Sequence, residues 1–320
     1  MKAILELLPK RLIIIALTLW LLSLMVFGMT QVLPGDAASM VLGQWATDES
    51  LSKLRQELGL DRSIWIQYKD WLVRFMQGDF GKSLTLQLPI KPMVMERLMN
   101  SMELGLLAFA EITLLGILLG VLCGVKKDSL FDQIMSTAGF IAVSIPEFVS
   151  GSLLILLFAG GIWKVFPASG HVPLSDGFWP WLSRLILPST ALTMVLLAYV
   201  MRMTRSSLVD VLQANYVRTA RLKGLSEARV IVFHALRNAL LPTVTLLAFN
   251  FGWLLGGIVV VESVFSYPGL GRLVILSIEK RDFPIIQASV LVVAIIYLFA
   301  NLVADLLYMI VDPRTRSQSS

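Results

Sequence analysis

A basic stretch in the middle of an apolar chain decides the fold. The chain reads Asn215-Tyr216-Val217-Arg218-Thr219-Ala220-Arg221-Leu222-Lys223-Gly224-Leu225 there and continues through His234-Ala235-Leu236-Arg237-Asn238 to Pro242. Between Arg202 and Arg237 it carries seven Lys or Arg residues against Asp210 and Glu227, a net charge of +5. Because strongly apolar stretches lie on both sides, we predict a loop between two membrane spans. Its positive charge predicts a cytoplasmic location, where a loop too short to fold alone is expected to contact a partner.

The composition supports a membrane protein. Hydrophobic residues make up 56% of the chain and charged residues 15%, against roughly 25% charged residues in an average soluble protein. A helix needs about 20 apolar residues to cross a hydrocarbon core of about 30 Å. Six stretches meet this requirement: about Leu12–Leu33, Met102–Val125, Ile134–Ile162, Leu185–Met201, Ala239–Val261 and Ile285–Val311. The sequence therefore predicts an all-α membrane protein with six transmembrane helices, the fourth being the weakest because Pro188 lies near its start.

Basic residues in short loops predict the orientation. They form four sets: Lys2, Lys10 and Arg11 before the first span, Lys126 and Lys127 after the second, the basic loop after the fourth, and Arg314 and Arg316 after the sixth. Six spans place all four sets on one side, which predicts that both termini are cytoplasmic. The predicted organisation is an N-terminal anchor with an external loop (1–99), a five-span membrane domain (100–311) with the cytoplasmic loop 204–238, and a cytoplasmic tail (312–320).

The external loop contains two predicted helices. Apolar residues recur at helical spacing from Tyr68 to Met76, in a helix that ends at Gly78. Three leucines, Leu51, Leu54 and Leu58, indicate a shorter helix before it that ends at Gly59. Two interpretations stay open. The helices pack on the membrane domain or lie in the interface, or they form a docking surface for a soluble partner outside the cell.

The residues argue against several kinds of site. His171 and His234 lie on opposite predicted sides of the membrane and Cys123 is the single cysteine, so no metal cluster and no catalytic set are predicted. Gly81-Lys82-Ser83 looks like the end of a phosphate-binding loop, but Met76 occupies the position where that pattern needs a further glycine. The basic residues are not interleaved with stacking aromatic residues, which argues against nucleic acid.

The basic loop is predicted to fold as two helices joined by a turn. Ser206–Leu222 has good helix formers, and Gly224 can adopt the left-handed conformation that ends a helix. Ser226 can cap a second helix that runs into the fifth span. Tyr216, Ala220 and Gly224 are spaced to form one small face. Taken alone, the segment is either an amphipathic hairpin held at the membrane surface by its charge or a docking site for a protein.

At this point the chain resembles a known family. Ala220-x-x-x-Gly224 followed by His234-x-Leu236-x-Asn238-x-x-x-Pro242 is similar to the cytoplasmic "EAA" loop of ABC-importer permeases, and Arg218 to Leu225 resembles its form in the peptide/nickel subfamily, first permease subunit. Further matches extend over nearly the whole chain: Leu33-Pro34-Gly35-Asp36, Leu58-Gly59-Leu60-Asp61, Gly78-Asp79-Phe80-Gly81-Lys82-Ser83, Arg202-Met203-Thr204-Arg205-Ser206-Ser207, Glu262 to Arg272 and Arg281-Asp282-Phe283-Pro284. The chain departs from the family pattern at Thr219, which replaces the acidic residue that names the loop, and in its short second outer loop, Trp163–Leu185.

The resemblance implies a type I ABC-importer permease in a bacterial inner membrane. Its partners would be a homologous second permease, two ABC ATPases and an external substrate-binding protein, with ATP and magnesium held by the ATPases and no cofactor by this chain. The loop would seat in a groove of one ATPase, with Gly224 setting the turn, Ala220 allowing close packing, and basic side chains pairing with acidic or carbonyl groups. The implied coupling residues are Tyr216, Arg218, Ala220, Arg221, Lys223, Gly224, Leu225, His234, Arg237 and Asn238.

Polar residues within spans are the candidates for the transport pathway. They are Glu111, Asn250, Asn301 and Asp305. The alternative for each is a hydrogen bond that ties two helices together. The family resemblance permits peptides as substrates, and also chelated nickel, glutathione or opines. A self-contained secondary transporter is a distant alternative, because no repeated halves are evident, and a membrane enzyme lacks its catalytic residues.

Overall fold

A computed structural model describes residues 2–32 and 47–311, and these are almost entirely helical. The matched motif at 33–36 and the predicted tail at 312–320 lie outside these ranges. In chain order the helices are α1 (Lys2–Val32), α2 (Asp48–Leu58), α3 (Ile64–Met76), α4 (Ile90–Val125), α5 (Leu130–Ser144), α6 (Glu147–Ile155), α7 (Phe178–Leu212), α8 (Asn215–Leu222), α9 (Glu227–Arg229), α10 (Leu236–Val264), α11 (Leu270–Glu279) and α12 (Phe283–Val311). Two π-helical turns, Leu156–Gly160 and Val230–Ala235, follow α6 and α9.

The six predicted spans all coincide with helices, but one of them is not continuous. Five helices are long and apolar enough to cross a membrane, and the pair Leu130–Ser144 and Glu147–Gly160 makes a sixth when counted as one bent span. The predicted third span, Ile134–Ile162, corresponds to this pair, and the chain bends by 108° between its two helices. Pro146 explains the break, since it cannot donate a hydrogen bond to α5 and it disfavours helical backbone at Ile145.

The described residues fall into two compact units. One comprises residues 2–4, 102–267 and 299–311, and the other residues 5–32, 47–101 and 268–298. The core of the first unit is apolar and joins α4, α7 and α10. Its fully buried side chains include Leu104, Ile112, Leu192, Leu254 and Phe265.

Three glycines on α4 bring that helix close to α7. A Cβ atom at Gly116 would lie 2.7 Å from Val200 Cγ1, and one at Gly120 would lie 2.6 Å from the Met201 carbonyl oxygen. A Cβ at Gly124 would lie 3.1 Å from Leu208 Cδ2. The spacing of four residues puts all three glycines on one face. This face is therefore the contact of α4 with α7, of the small-residue kind that membrane helices use.

In the second unit, helix α3 of the predicted external loop packs on the first span. Tyr68 is buried, packs edge-on against Phe27 and shares a 2.7 Å hydrogen bond with Ser23. The predicted ends of both external helices are confirmed, since Gly59 and Gly78 have φ values of 68° and 80°. Packing on a membrane helix, one of the two interpretations of the external helices, is thus observed for α3.

A buried aspartate holds the segment 83–85 of the predicted external loop. Asp282 accepts hydrogen bonds from Ser83 Oγ (2.6 Å), Thr85 Oγ1 (2.8 Å) and the Thr85 backbone N–H (3.0 Å). The Asp282 side chain is almost completely enclosed. The segment around Gly81-Lys82-Ser83 is therefore tied to the residue that precedes α12. We call these hydrogen bonds of Asp282 with Ser83 and Thr85 the Asp282 clasp. The sequence predicted neither the clasp nor helix α11, which precedes Asp282.

Candidate functional site

The basic loop forms a hairpin of helices, which we call the basic hairpin (residues 213–238). The predicted single helix Ser206–Leu222 is wrong, because α7 ends at Leu212 and α8 begins at Asn215. Ala214 between them has extended backbone, with φ −68° and ψ 146°. This break turns the chain so that Val217 is completely buried against the end of α7. Burial of an apolar side chain here overrides the local helix propensity of the segment.

The turn of the hairpin has the predicted conformation. Helix α8 ends at Leu222, and Gly224 follows with a φ of +78°, a region that glycine enters without steric cost. Ser226 holds the predicted cap position, but its side chain makes no capping hydrogen bond. The chain then runs through α9 and the π-helical turn into α10, as expected.

The hairpin has a small core of its own. The buried residues of this cluster are Leu208, Val217, Ala220, Val230, Ala235 and Ala239. Ala220 is only 5% exposed, whereas Tyr216 on the same predicted face is 43% exposed. The predicted small face of Tyr216, Ala220 and Gly224 therefore permits close approach at Ala220 but not at Tyr216, whose side chain is exposed. The small side chain of Ala220 lets the two arms of the hairpin approach each other.

Polar contacts brace the outside of the hairpin. Arg221 donates hydrogen bonds from Nη2 and Nε to the two carboxylate oxygens of Glu227, at 2.6 and 3.0 Å. This ion pair raises the pKa of the Arg221 guanidinium. At the base, Asn238 Nδ2 donates to the Tyr216 hydroxyl over 2.9 Å. Arg221, Tyr216 and Asn238 thus have partners within the hairpin, a role that the sequence did not reveal.

The remaining hairpin residues form an exposed surface. Arg218, Lys223 and Arg237 are exposed, while Leu225 and His234 are partly buried. Three apolar side chains also project from the hairpin, Leu222 at 80%, Phe233 at 70% and Val232 at 53% exposure. Basic residues next to large exposed apolar side chains are typical of a protein contact surface.

An ion pair that sequence reasoning missed lies beside the hairpin. Arg205 on α7 donates from Nε and Nη2 to the two oxygens of Asp132 on α5, at 2.5 and 2.6 Å. Asp132 is 2% exposed, so its charge depends on this two-pronged contact. Arg205 belongs to one of the stretches that resemble the family, so the sequence indicated that this residue matters. It did not indicate the acidic partner, which is 73 residues away.

The four predicted pathway residues make different contacts. Glu111 on α4 accepts a 2.7 Å hydrogen bond from Ser189 on α7, with Thr193 Oγ1 at 3.5 Å. Asn250 donates to the Leu246 carbonyl oxygen of its own helix over 2.8 Å. Asn301 and Asp305 are partly buried on α12. The contacts of Glu111 favour the alternative of a hydrogen bond that ties two helices, and a pathway role stays a prediction for Asn250, Asn301 and Asp305.

At the other end of the first unit, a polar network holds the second outer loop. Glu103 Oε2 accepts a hydrogen bond from Trp181 Nε1 (2.9 Å) and lies 3.1 Å from His171 Nε2. The His171 ring packs edge-on against Tyr267, with ring centroids 5.5 Å apart. Burial, with Glu103 and Glu262 nearby, raises the pKa of the Tyr267 hydroxyl. His171 therefore anchors a loop.

Comparisons with known proteins agree on one family. The family model described as "Binding-protein-dependent transport system inner membrane component" matches residues 116–317, and the model for the N-terminal part of such components matches residues 4–98. The dipeptide transport system permease protein DppB of Escherichia coli K12 is 38% identical over 319 residues, covering 92% of this chain and 94% of the relative. The "Probable peptide ABC transporter permease protein y4tP" of Sinorhizobium fredii is 34% identical over 307 residues, covering 96% and 98%. A solved structure titled as an amino acid ABC transporter with histidines covers 68% of this chain and 93% of its own, at 19% identity and a TM-score of 0.49.

Proposed function

Since the chain belongs to the family of binding-protein-dependent transport system inner membrane components, we propose that it forms half of the translocation pathway of an ATP-driven peptide importer. It is a multi-pass membrane permease that works with the other subunits of a transporter, and ATP hydrolysis belongs to separate subunits. Peptides are proposed as the cargo because relatives of similar length carry peptide or dipeptide transport in their names.

The proposed partners are a homologous second permease, two ABC ATPases and an external substrate-binding protein, and the proposed location is a bacterial inner membrane. The basic hairpin supports the assignment of an ATPase contact. Its core fixes the shape of the surface, and Arg218, Lys223 and Arg237 present positive charge on it. Leu222 and Phe233 supply the apolar side chains that a groove on a partner can enclose.

The hairpin carries the proposed coupling. Its two arms continue into α7 and α10, so a displacement of the hairpin is passed to two membrane helices. Closure of ATP-bound ATPases would thus change which side of the membrane the pathway opens to, as alternating access requires. Gly224 sets the turn. Tyr216, Ala220, Arg221 and Asn238 preserve the shape of the hairpin, and the exposed basic residues make the contact.

Within the membrane, the residues divide into two groups. We assign Glu111 to the contact between α4 and α7, because Ser189 satisfies its carboxylate. Asn250, Asn301 and Asp305 are kept as predicted pathway residues, since polar groups in a span are costly unless they serve packing or transport.

Reconstitution tests the proposed function. The permease is co-expressed with the subunits encoded beside it and placed in vesicles, and uptake of labelled Ala-Ala is measured with ATP inside or outside. ATP-dependent Ala-Ala uptake is expected, and it should disappear when the hairpin's contact residues Arg218 and Lys223 are both replaced by Glu. Uptake of chelated nickel or glutathione but not of Ala-Ala would replace the proposed cargo, and uptake without ATPase subunits would contradict an ABC importer.

A further inference from the structure

The break in the third span places a carboxylate inside the membrane. Helix α5 ends at Ser144, and Ile145 and Pro146 have extended backbone, with ψ values of 125° and 144°. Glu147 is the first residue of α6 and lies near the middle of the apolar segment 130–160. Irregular backbone at membrane depth is tolerated where it is buried in protein or lines a water-filled cavity. Glu147 therefore lies where a membrane transporter builds sites for polar cargo.

The Glu147 side chain points at other helices of its unit. A Cβ atom on Gly257 of α10 would lie 2.9 Å from Glu147 Oε2 and 3.0 Å from Oε1, and also 3.0 Å from Leu192 Cδ1 on α7. Gly257 thus leaves the space that the carboxylate occupies. A second glycine, Gly151, brings α6 equally close to the end of α10, where its Cβ would lie 3.1 Å from Phe265 Cε2. The carboxylate consequently faces α7 and α10 within the helix bundle.

This carboxylate has no partner among the residues that the structure describes. Its Oε1 atom is buried without a hydrogen bond, while the side chain as a whole remains partly exposed. Glu111, another carboxylate within a predicted span, differs from Glu147 because it accepts a hydrogen bond from Ser189. Burying an ionised carboxylate without a partner costs several kcal/mol. Glu147 is therefore poised to bind a cation that is supplied from elsewhere.

The chemistry favours an ammonium group as that cation. An ammonium offers three hydrogen-bond donors and suits a single carboxylate. A divalent metal needs several ligands, and within the described ranges no group of three or more His, Cys, Asp and Glu residues could hold one. We propose that Glu147 binds the ammonium group of the transported peptide. This inference rests on the proposed function, and it adds a specificity-determining residue to it.

The test uses the reconstituted transporter with its binding protein and Ala-Ala as the probe. Uptake per assembled complex by Glu147→Gln is expected to fall about tenfold or more, the loss expected for one hydrogen bond to a charged group. Glu147→Asp should retain most of the uptake, because it keeps the charge. Gly257→Ala should also reduce uptake, since the added methyl group displaces the carboxylate.

A binding measurement separates this role from a structural one. In detergent and without the binding protein, Ala-Ala is expected to raise the melting temperature of the wild-type complex, and N-acetyl-Ala-Ala is not. Glu147→Gln should lose this shift, whereas the matched variant Glu111→Gln should keep it while melting at a lower temperature.

The possible results distinguish a failure of this inference from a failure of the proposed function. Wild-type uptake of Ala-Ala with equal uptake by Glu147→Gln overturns the inference and leaves the proposed function intact. Failure of Glu147→Gln to assemble with the second permease overturns it as well, because the cation then belongs to that subunit. If the wild type takes up no Ala-Ala, the proposed function fails, and this inference fails with it.

Discussion

Replacing Gly120 by alanine is expected to force α4 and α7 apart. The added Cβ would lie 2.6 Å from the Met201 carbonyl oxygen and 2.6 Å from Thr204 Cβ, about 1 Å inside ordinary van der Waals separation. The first atom is backbone, so a change of rotamer cannot relieve the contact. Thr204 is also held, by hydrogen bonds to the Val200 carbonyl oxygen (2.8 Å) and to Thr243 Oγ1 (3.0 Å).

Two opposed contributions determine how much Gly120→Ala changes the free energy of unfolding. Overpacking of a well-packed contact costs about 1–3 kcal/mol, and alanine in place of glycine in a helix returns about 0.5–1 kcal/mol. Gly28 on α1 provides the matched control, because a Cβ there would meet no atom of the described chain within 4 Å. The difference between Gly120→Ala and Gly28→Ala isolates the steric term, and it corresponds to a melting temperature lower by roughly 5 °C for Gly120→Ala.

The assay is thermal unfolding of the purified permease complex in detergent, followed by intrinsic tryptophan fluorescence. Gly120→Ala should melt well below Gly28→Ala at equal expression. Equal melting temperatures for the two variants would refute the close contact of α4 with α7. A further variant, Gly120→Ser, should destabilise at least as much, since it adds an oxygen to the same crowded space.

Three further predictions concern the other contacts. Asp132→Asn should lower the melting temperature, because Arg205 loses its two-pronged carboxylate partner, at a cost of about 1.5–3 kcal/mol for hydrogen bonds to a charged group; the double variant Asp132→Asn/Arg205→Met should recover part of that loss, and an equally unstable double variant would speak against the pair. Gly224→Val should leave the permease inserted but reduce ATPase co-purification and peptide-stimulated ATP hydrolysis, because a β-branched residue is strained at a φ of +78°; normal values of both would disprove the turn assignment. Asp282→Asn should increase proteolysis of the external loop, as the carboxylate that holds Ser83 is weakened, and an unchanged digestion pattern would contradict the clasp.

The sequence predicted those features that depend on length and on local backbone. Apolar runs long enough for a bilayer located all six spans, and Gly59 and Gly224 marked helix ends because glycine enters positive φ freely. The bend at Pro146 was missed, since an apolar run around it shows no change of periodicity. The break at Ala214 has no glycine or proline to mark it, and it exists because Val217 gains burial when the chain turns back.

The features beyond prediction depend on contacts between distant segments. Two examples are the contacts of Asp132 with Arg205 and of Ser83 with Asp282. These residues come together only when the chain is folded, and the sequence around each of them does not indicate which residue it contacts. The same reason explains why Ala220 is buried while Tyr216, on the same predicted face, is exposed. Helical spacing shows which residues lie on one side of a helix, but not which part of that side another arm of the chain covers.

The core of the basic hairpin also limits how the hairpin can move. It includes Leu208 of α7 and Ala239 of α10, so the hairpin cannot rotate against either helix without exposing apolar surface to water. We therefore expect the hairpin and the adjoining ends of α7 and α10 to move together. In the proposed importer, one displacement of the hairpin would then be passed to both membrane helices.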